Sequence, residues 1–187
     1  MYDLLTRIIL GMCMASLLAV WKFTSPYTLK QYLEDFFKFH TLVFVSAQTL
    51  MFFQLFYIPQ LFYAQGPALS SNLARFTGVI LAIIGTTLAI WAKLTMKKSW
   101  GPPAQHEIQK QKKLVTTGPF AFTRNPIYVG LLFLFFGFEL ALGSYLALLV
   151  IPFAYLFYYA ILVEEKLLTK HFGKEYQIYS SLVHRFI

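Results

Sequence analysis

Two short stretches carry side chains that can do chemistry together. The first is Arg124-Asn125-Pro126-Ile127-Tyr128 and the second is Glu164-Glu165. Asn125 is a good N-cap and Pro126 suits the first helical position. The residue before a proline is held extended, as an N-cap requires. Free N–H groups at such a helix start, with the positive end of its dipole and the Arg124 guanidinium, can bind a carboxylate. A plain, well-made helix start is the equal alternative. Glu164 and Glu165 follow directly on an apolar run, so they either mark its exit from a bilayer or form a second, anionic wall. Together, the two stretches would suit a ligand bearing both signs of charge.

The elements that position them are set by composition. Of 187 residues, 58% are hydrophobic and only 13% charged, and mean hydropathy is +0.59. This excludes a soluble domain and predicts an all-α integral membrane protein. Crossing ~30 Å of hydrocarbon takes about 20 helical residues. Apolar runs recur at 4–23, 39–63, 73–95, 127–142 and 145–163. Only Leu142 to Ser144 separates the last two runs, so they form a tight helical hairpin. The expected architecture is a single membrane domain, 1–187, of about five transmembrane helices. Residues 1–95 would supply three N-terminal spans, and 96–187 the loop, hairpin and tail of a catalytic half. The first run lacks a signal-peptide cleavage pattern and is kept as a membrane helix. Pro152 should interrupt the fifth helix and open space beside its cytoplasmic half.

The net charge of +8 is unevenly spread. Seven basic residues lie from Lys93 to Arg124 against one acid, Glu107, whereas the stretch from Ala64 to Ala74 carries no charge. The basic loop, expected to hold the cofactor pocket, and the C-terminal tail should therefore be cytoplasmic, with the N-terminus outside. The lysines read first as topology signals and lipid attraction. A bacterial inner membrane and an endoplasmic reticulum membrane fit equally. The single cysteine, Cys13, excludes an internal disulfide and any cysteine metal site, and no solvated basic face with aromatic readers suggests nucleic acid. His40, Ser46, Gln48 and Gln54 lie at or inside the hydrocarbon and should face other helices. Glu139 reads as interfacial.

Comparable lengths of the last two helices return Glu164 close to Tyr128. Thr116-Thr117-Gly118-Pro119 reads as a turn that lets the backbone of Leu114 and Val115 approach a ligand. A pocket with Arg124 and a helix N-terminus on one wall, Phe120 and Tyr128 between, and carboxylates opposite is compatible with S-adenosylmethionine. Both charges of its amino acid end would be answered, and its sulfonium would lie near an aromatic face.

The stretches "KLVTTGPFAFTRNPIYVG" and "EEKLLTKHFGKEYQIYSSLV" resemble the isoprenylcysteine carboxyl methyltransferase and phospholipid methyltransferase superfamily of membrane enzymes. The resemblance covers about Gln105 to Val183 and implies an S-adenosylmethionine-dependent methyltransferase. By matching positions it implies that Gln105, Lys112, Leu114, Val115 and Phe120 line the cofactor site with Asn125, Pro126, Tyr128, Glu164 and Glu165. Arg124, Glu164 and Tyr128 are the expected catalytic residues. Lys112 and Asn125 stand where the family pattern has histidines, and Phe120 where it has a tyrosine.

Prenylcysteine enzymes carry an arginine one turn before the Glu-Glu pair. Here Tyr158, Tyr159 and Ala160 occupy that region, leaving Arg124 as the only cation expected nearby. That shifts the expected acceptor toward a lipid amine or a small thiol, with a prenylcysteine-like carboxylate retained. Membrane lipids are the expected surroundings, and no metal is needed. An NADPH-dependent membrane reductase of similar architecture, or a non-catalytic relative with a degenerate site, are the rival readings.

Overall fold

The computed structural model describes residues 2–24, 39–57, 71–96 and 113–186. These form six α-helices: α1 (Tyr2–Thr24), α2 (Phe39–Gln54), α3 (Asn72–Met96), α4 (Pro126–Ala141), α5 (Val150–Phe172) and α6 (Lys174–Leu182). Two 3-10 turns, Gly118–Ala121 and Tyr145–Leu149, lead into α4 and α5. Among the described residues, three segments are long and apolar enough to cross a membrane: Leu4–Thr24, Asn72–Met96 and Tyr145–Phe172. The expected five crossings thus resolve into three full-length spans and two apolar helices, α2 and α4, of 16 residues each. The end of the second run, 58–63, lies outside the described residues.

The tightest contact is between α3 and α4, which run antiparallel. Glycines seven residues apart on each helix, Gly78 and Gly85 on α3 and Gly130 and Gly137 on α4, lie in the seam with Ala82 and Ala89. A Cβ added to Gly130 would stand 2.6 Å from the Gly85 carbonyl oxygen, and one on Gly137 2.6 Å from that of Gly78. Without a hydrophobic drive between helices in lipid, small residues that admit backbone-to-backbone packing hold such a pair together. The seam also sets the level of the site, because it fixes the N-terminus of α4 beside the C-terminal end of α3.

The bundle has two polar ends. At one, Arg7 donates through Nη1 to the carbonyls of Gln54 and Leu55 at 2.9 and 2.8 Å, capping the C-terminus of α2. Gln54 Nε2 donates to Glu139 Oε2 at 2.9 Å, and both side chains are almost fully buried. Glu139 lies at this end with its side chain covered by protein. It is packed inside the protein, where the Gln54 amide satisfies one of its oxygens. Gln54 meets the expectation for polar residues of that run; Ser46 is exposed instead, and the side chain of His40 lies outside the described residues.

After α4 the chain turns on Gly143 at φ 65, and Ser144 Oγ accepts from Leu146 N at 3.1 Å to start the next turn. Pro152 is the third residue of α5, within the first turn, where its missing N–H would have no helical partner. It interrupts nothing. The helix also runs on through Glu164 and Glu165 to Phe172, so the acids lie inside a helix.

Candidate functional site

The other polar end gathers the loop 113–125, the C-terminal half of α5, α6 and the tail. Gly118, at φ 63, starts the 3-10 turn, and a Cβ there would meet Thr95 of α3 at 3.0 Å. The turn presents Phe120 inward, and the Phe120 carbonyl accepts from the Tyr179 hydroxyl at 2.7 Å. Gly173, at φ 55, joins α5 to α6 and reverses the chain. That reversal packs Tyr176 and Tyr179 on Leu114. Burial raises both phenols, Tyr179 to about 12 against a partial lowering by Arg124, so both remain protonated donors at neutral pH. Replacing Tyr179 by Phe should leave the buried carbonyl unpaired and cost about 1–2 kcal/mol, read as a lowered thermal midpoint in detergent.

These elements enclose a cleft lined by Met96, Leu114, Val115, Phe120, Arg124, Asn125, Glu164, Glu165, Leu168, Tyr176 and Tyr179. Seven of the sequence candidates lie on it: Leu114, Val115, Phe120, Arg124, Asn125, Glu164 and Glu165. Tyr128 stands behind the wall, donating its hydroxyl to Glu164 Oε2 at 3.0 Å, with its ring edge-on to Phe157 at 5.2 Å. Pro126 is buried at the start of α4 and is not among the lining residues. Gln105 and Lys112 lie outside the described residues.

Three candidates are used differently from expectation. Asn125 occupies the N-cap position of α4, but its side chain caps nothing; Nδ2 donates at 3.0 Å to the carbonyl of Arg185. The same carbonyl accepts from Thr123 Oγ1 at 3.1 Å, and His184 O accepts from Arg124 N at 3.0 Å. The tail is thus strapped across the entry to α4. Glu165 accepts from Arg185 Nε and Nη2 at 3.0 and 2.7 Å, and Arg124 Nη2 lies 3.3 Å from Glu165 Oε1. Arg124 is therefore not the only cation near the site.

Arg185, with its guanidinium 5.7 Å over the Tyr158 ring and Tyr158 stacked on Phe186, is the residue sequence reasoning missed. Nothing in its spacing marked it. Tyr176 and Tyr179 were visible, one helical turn apart in "FGKEYQIY", but received no role. Lys93, read as one of the topology lysines, is fully buried with Nζ 5.6 Å from the Trp21 ring centroid. It reports packing at this end of the bundle, not attraction to a lipid surface.

The fold and cleft define a class: a multi-pass, all-helical membrane protein whose loop, helix and tail close a polar pocket at one end of a glycine-seamed bundle. Residues 73–175 match the phospholipid methyltransferase family, and the chain belongs to that family. It is also similar to two rice proteins, "Probable protein-S-isoprenylcysteine O-methyltransferase" of Oryza sativa subsp. indica and of subsp. japonica. Each is 28% identical over 111 residues, 58% of this chain and 58% of the relative. The chain therefore spans little more than half the length of these curated relatives. Among solved structures it resembles the eukaryotic intramembrane Ras methyltransferase, an isoprenylcysteine carboxyl methyltransferase. The TM-score is 0.66 at 23% identity, over 94% of this chain and 62% of the other. The fold is shared with that enzyme.

Proposed function

We propose that the chain is an integral membrane methyltransferase using S-adenosylmethionine to methylate a lipophilic or small acceptor: a lipid amine, a thiol or a prenylcysteine-like carboxylate. The observation that carries this reading is that Arg124, Glu164 and Phe120 line one cleft, in a chain of this family. The donor set fits the methyl donor's amino acid end. Arg124 Nε is buried without a hydrogen-bond partner, and the Glu164 carboxylate is oriented by Tyr128.

When bound, the methyl donor supplies an activated S-methyl group open to direct displacement. Arg124 answers a carboxylate, and Glu164 answers an ammonium or ribose hydroxyls. Phe120 and Leu114 exclude water from the reacting centre. Holding the acceptor in line and desolvated supplies most of the effect. An amine or thiol acceptor must lose a proton, and Glu164, Glu165, Tyr128 or water are the candidates to take it. The cytoplasmic disposition of the pocket belongs to this proposal and rests on the basic loop that precedes it.

The test is calorimetry on the detergent-purified protein with S-adenosylhomocysteine and, separately, NADPH. Binding of the first alone is expected. Binding of NADPH alone would replace this reading with a reductase, and binding of neither with a non-catalytic relative.

A further inference from the structure

Glu165 is shared unequally by two guanidinium groups. Arg185 holds it with two bonds of 3.0 and 2.7 Å, in the fork geometry that makes arginine–carboxylate pairs strong, whereas Arg124 reaches it once, at 3.3 Å. Among the described residues, Arg124 engages Glu165 through Nη2. Its Nε is buried with no partner, and its side chain is 14% exposed, too enclosed for water to neutralise the charge cheaply. Because two guanidinium groups share the single Glu165 carboxylate, that carboxylate does not neutralise Arg124 fully on the cleft that Arg124 lines.

We infer that Arg185 is a positioning residue: by taking up the Glu165 carboxylate, it leaves the charge of Arg124 available to an anionic group in the cleft. The inference rests on the cofactor reading above, in which that group is the carboxylate of the methyl donor. It also reassigns Glu165, from a ligand of the cofactor to the counter-ion that adjusts Arg124. Without Arg185, the Glu165 carboxylate would turn fully onto Arg124 and compete with the ligand for it. The carbonyls of His184 and Arg185, bound to Arg124 N, Thr123 and Asn125, hold the tail where its guanidinium can reach.

The experiment is calorimetric titration of S-adenosylhomocysteine into the full-length protein in detergent, in four forms. Arg185→Gln is expected to weaken binding about tenfold, the size of a lost charged contact. Combining it with Glu165→Gln should restore most of the loss, because the competitor for Arg124 is then gone. Glu165→Gln alone should bind at least as tightly as the wild type, and it tests the idea even where Arg185→Gln does not fold. A mechanical strap predicts the opposite for both Glu165 variants: the double variant as weak as the single, and Glu165→Gln weakened. Either result overturns the inference, as does unchanged binding by Arg185→Gln. A wild type that binds no S-adenosylhomocysteine sinks the cofactor reading and the inference together. Failure of the variants' pattern in a binding wild type sinks the inference alone.

Discussion

Glu164→Ala is expected to lower affinity for S-adenosylhomocysteine by about a hundredfold or more and to abolish methyl transfer, the largest effect predicted for any side chain of the cleft. Among the described residues, Glu165 is held by Arg185 and Arg124, while no cation is paired with Glu164, which receives the Tyr128 hydroxyl at 3.0 Å. Removing it leaves an ammonium or ribose hydroxyl of the ligand without an answer in a site that excludes water. Tyr128→Phe, which keeps the carboxylate and loses only its orienting bond, should cost much less, about tenfold or below. Equal losses in the two variants would mean that the hydrogen-bonded pair, not the charge, is what the ligand reads. Unchanged affinity in Glu164→Ala would remove Glu164 from the site.

Gly85→Val is expected to be as severe for the fold as Glu164→Ala is for the site. A Cβ at Gly85 would land on the backbone of Leu134 and Gly130, atoms that cannot swing aside as a flexible side chain would. Overpacking of this kind costs about 3 kcal/mol or more, and it would part α3 from α4 along their length. The measurement is recovery of monodisperse protein in detergent, with the thermal midpoint of whatever survives. Gly173→Ala is the control. It meets nothing within 4 Å and carries only the strain of φ 55, so a comparable loss there would show that chain reversal, not the seam, limits stability.

The sequence told where chemistry could gather because two signals were local. The Asn125-Pro126 step marked a helix start, and equal apolar runs on either side of Leu142 to Ser144 brought Glu164 back to Tyr128. Pairings without a local signal were invisible. Glycines seven apart in an apolar run say that something approaches closely, but not that Gly85 meets Gly130 across 45 residues. Arg185 lies in a short polar tail whose pattern predicts nothing, and only the reversal at Gly173 places it on Glu165. Glu139 is a related case. Its place one turn before Leu142 speaks to depth in a membrane and says nothing of its burial against Gln54, 85 residues earlier in the chain.

The 16 residues of α4 have a consequence for depth. At 1.5 Å per residue the helix is about 24 Å long, short of a hydrocarbon layer of ~30 Å. A Gly143 turn placed at one face of a bilayer would leave the Asn125-Pro126 end several ångströms short of the other. In that placement the floor of the cleft would lie within the lipid layer. A molecule dissolved among acyl chains would then meet that floor sideways, without being lifted out of the membrane, at a depth that follows local bilayer thickness.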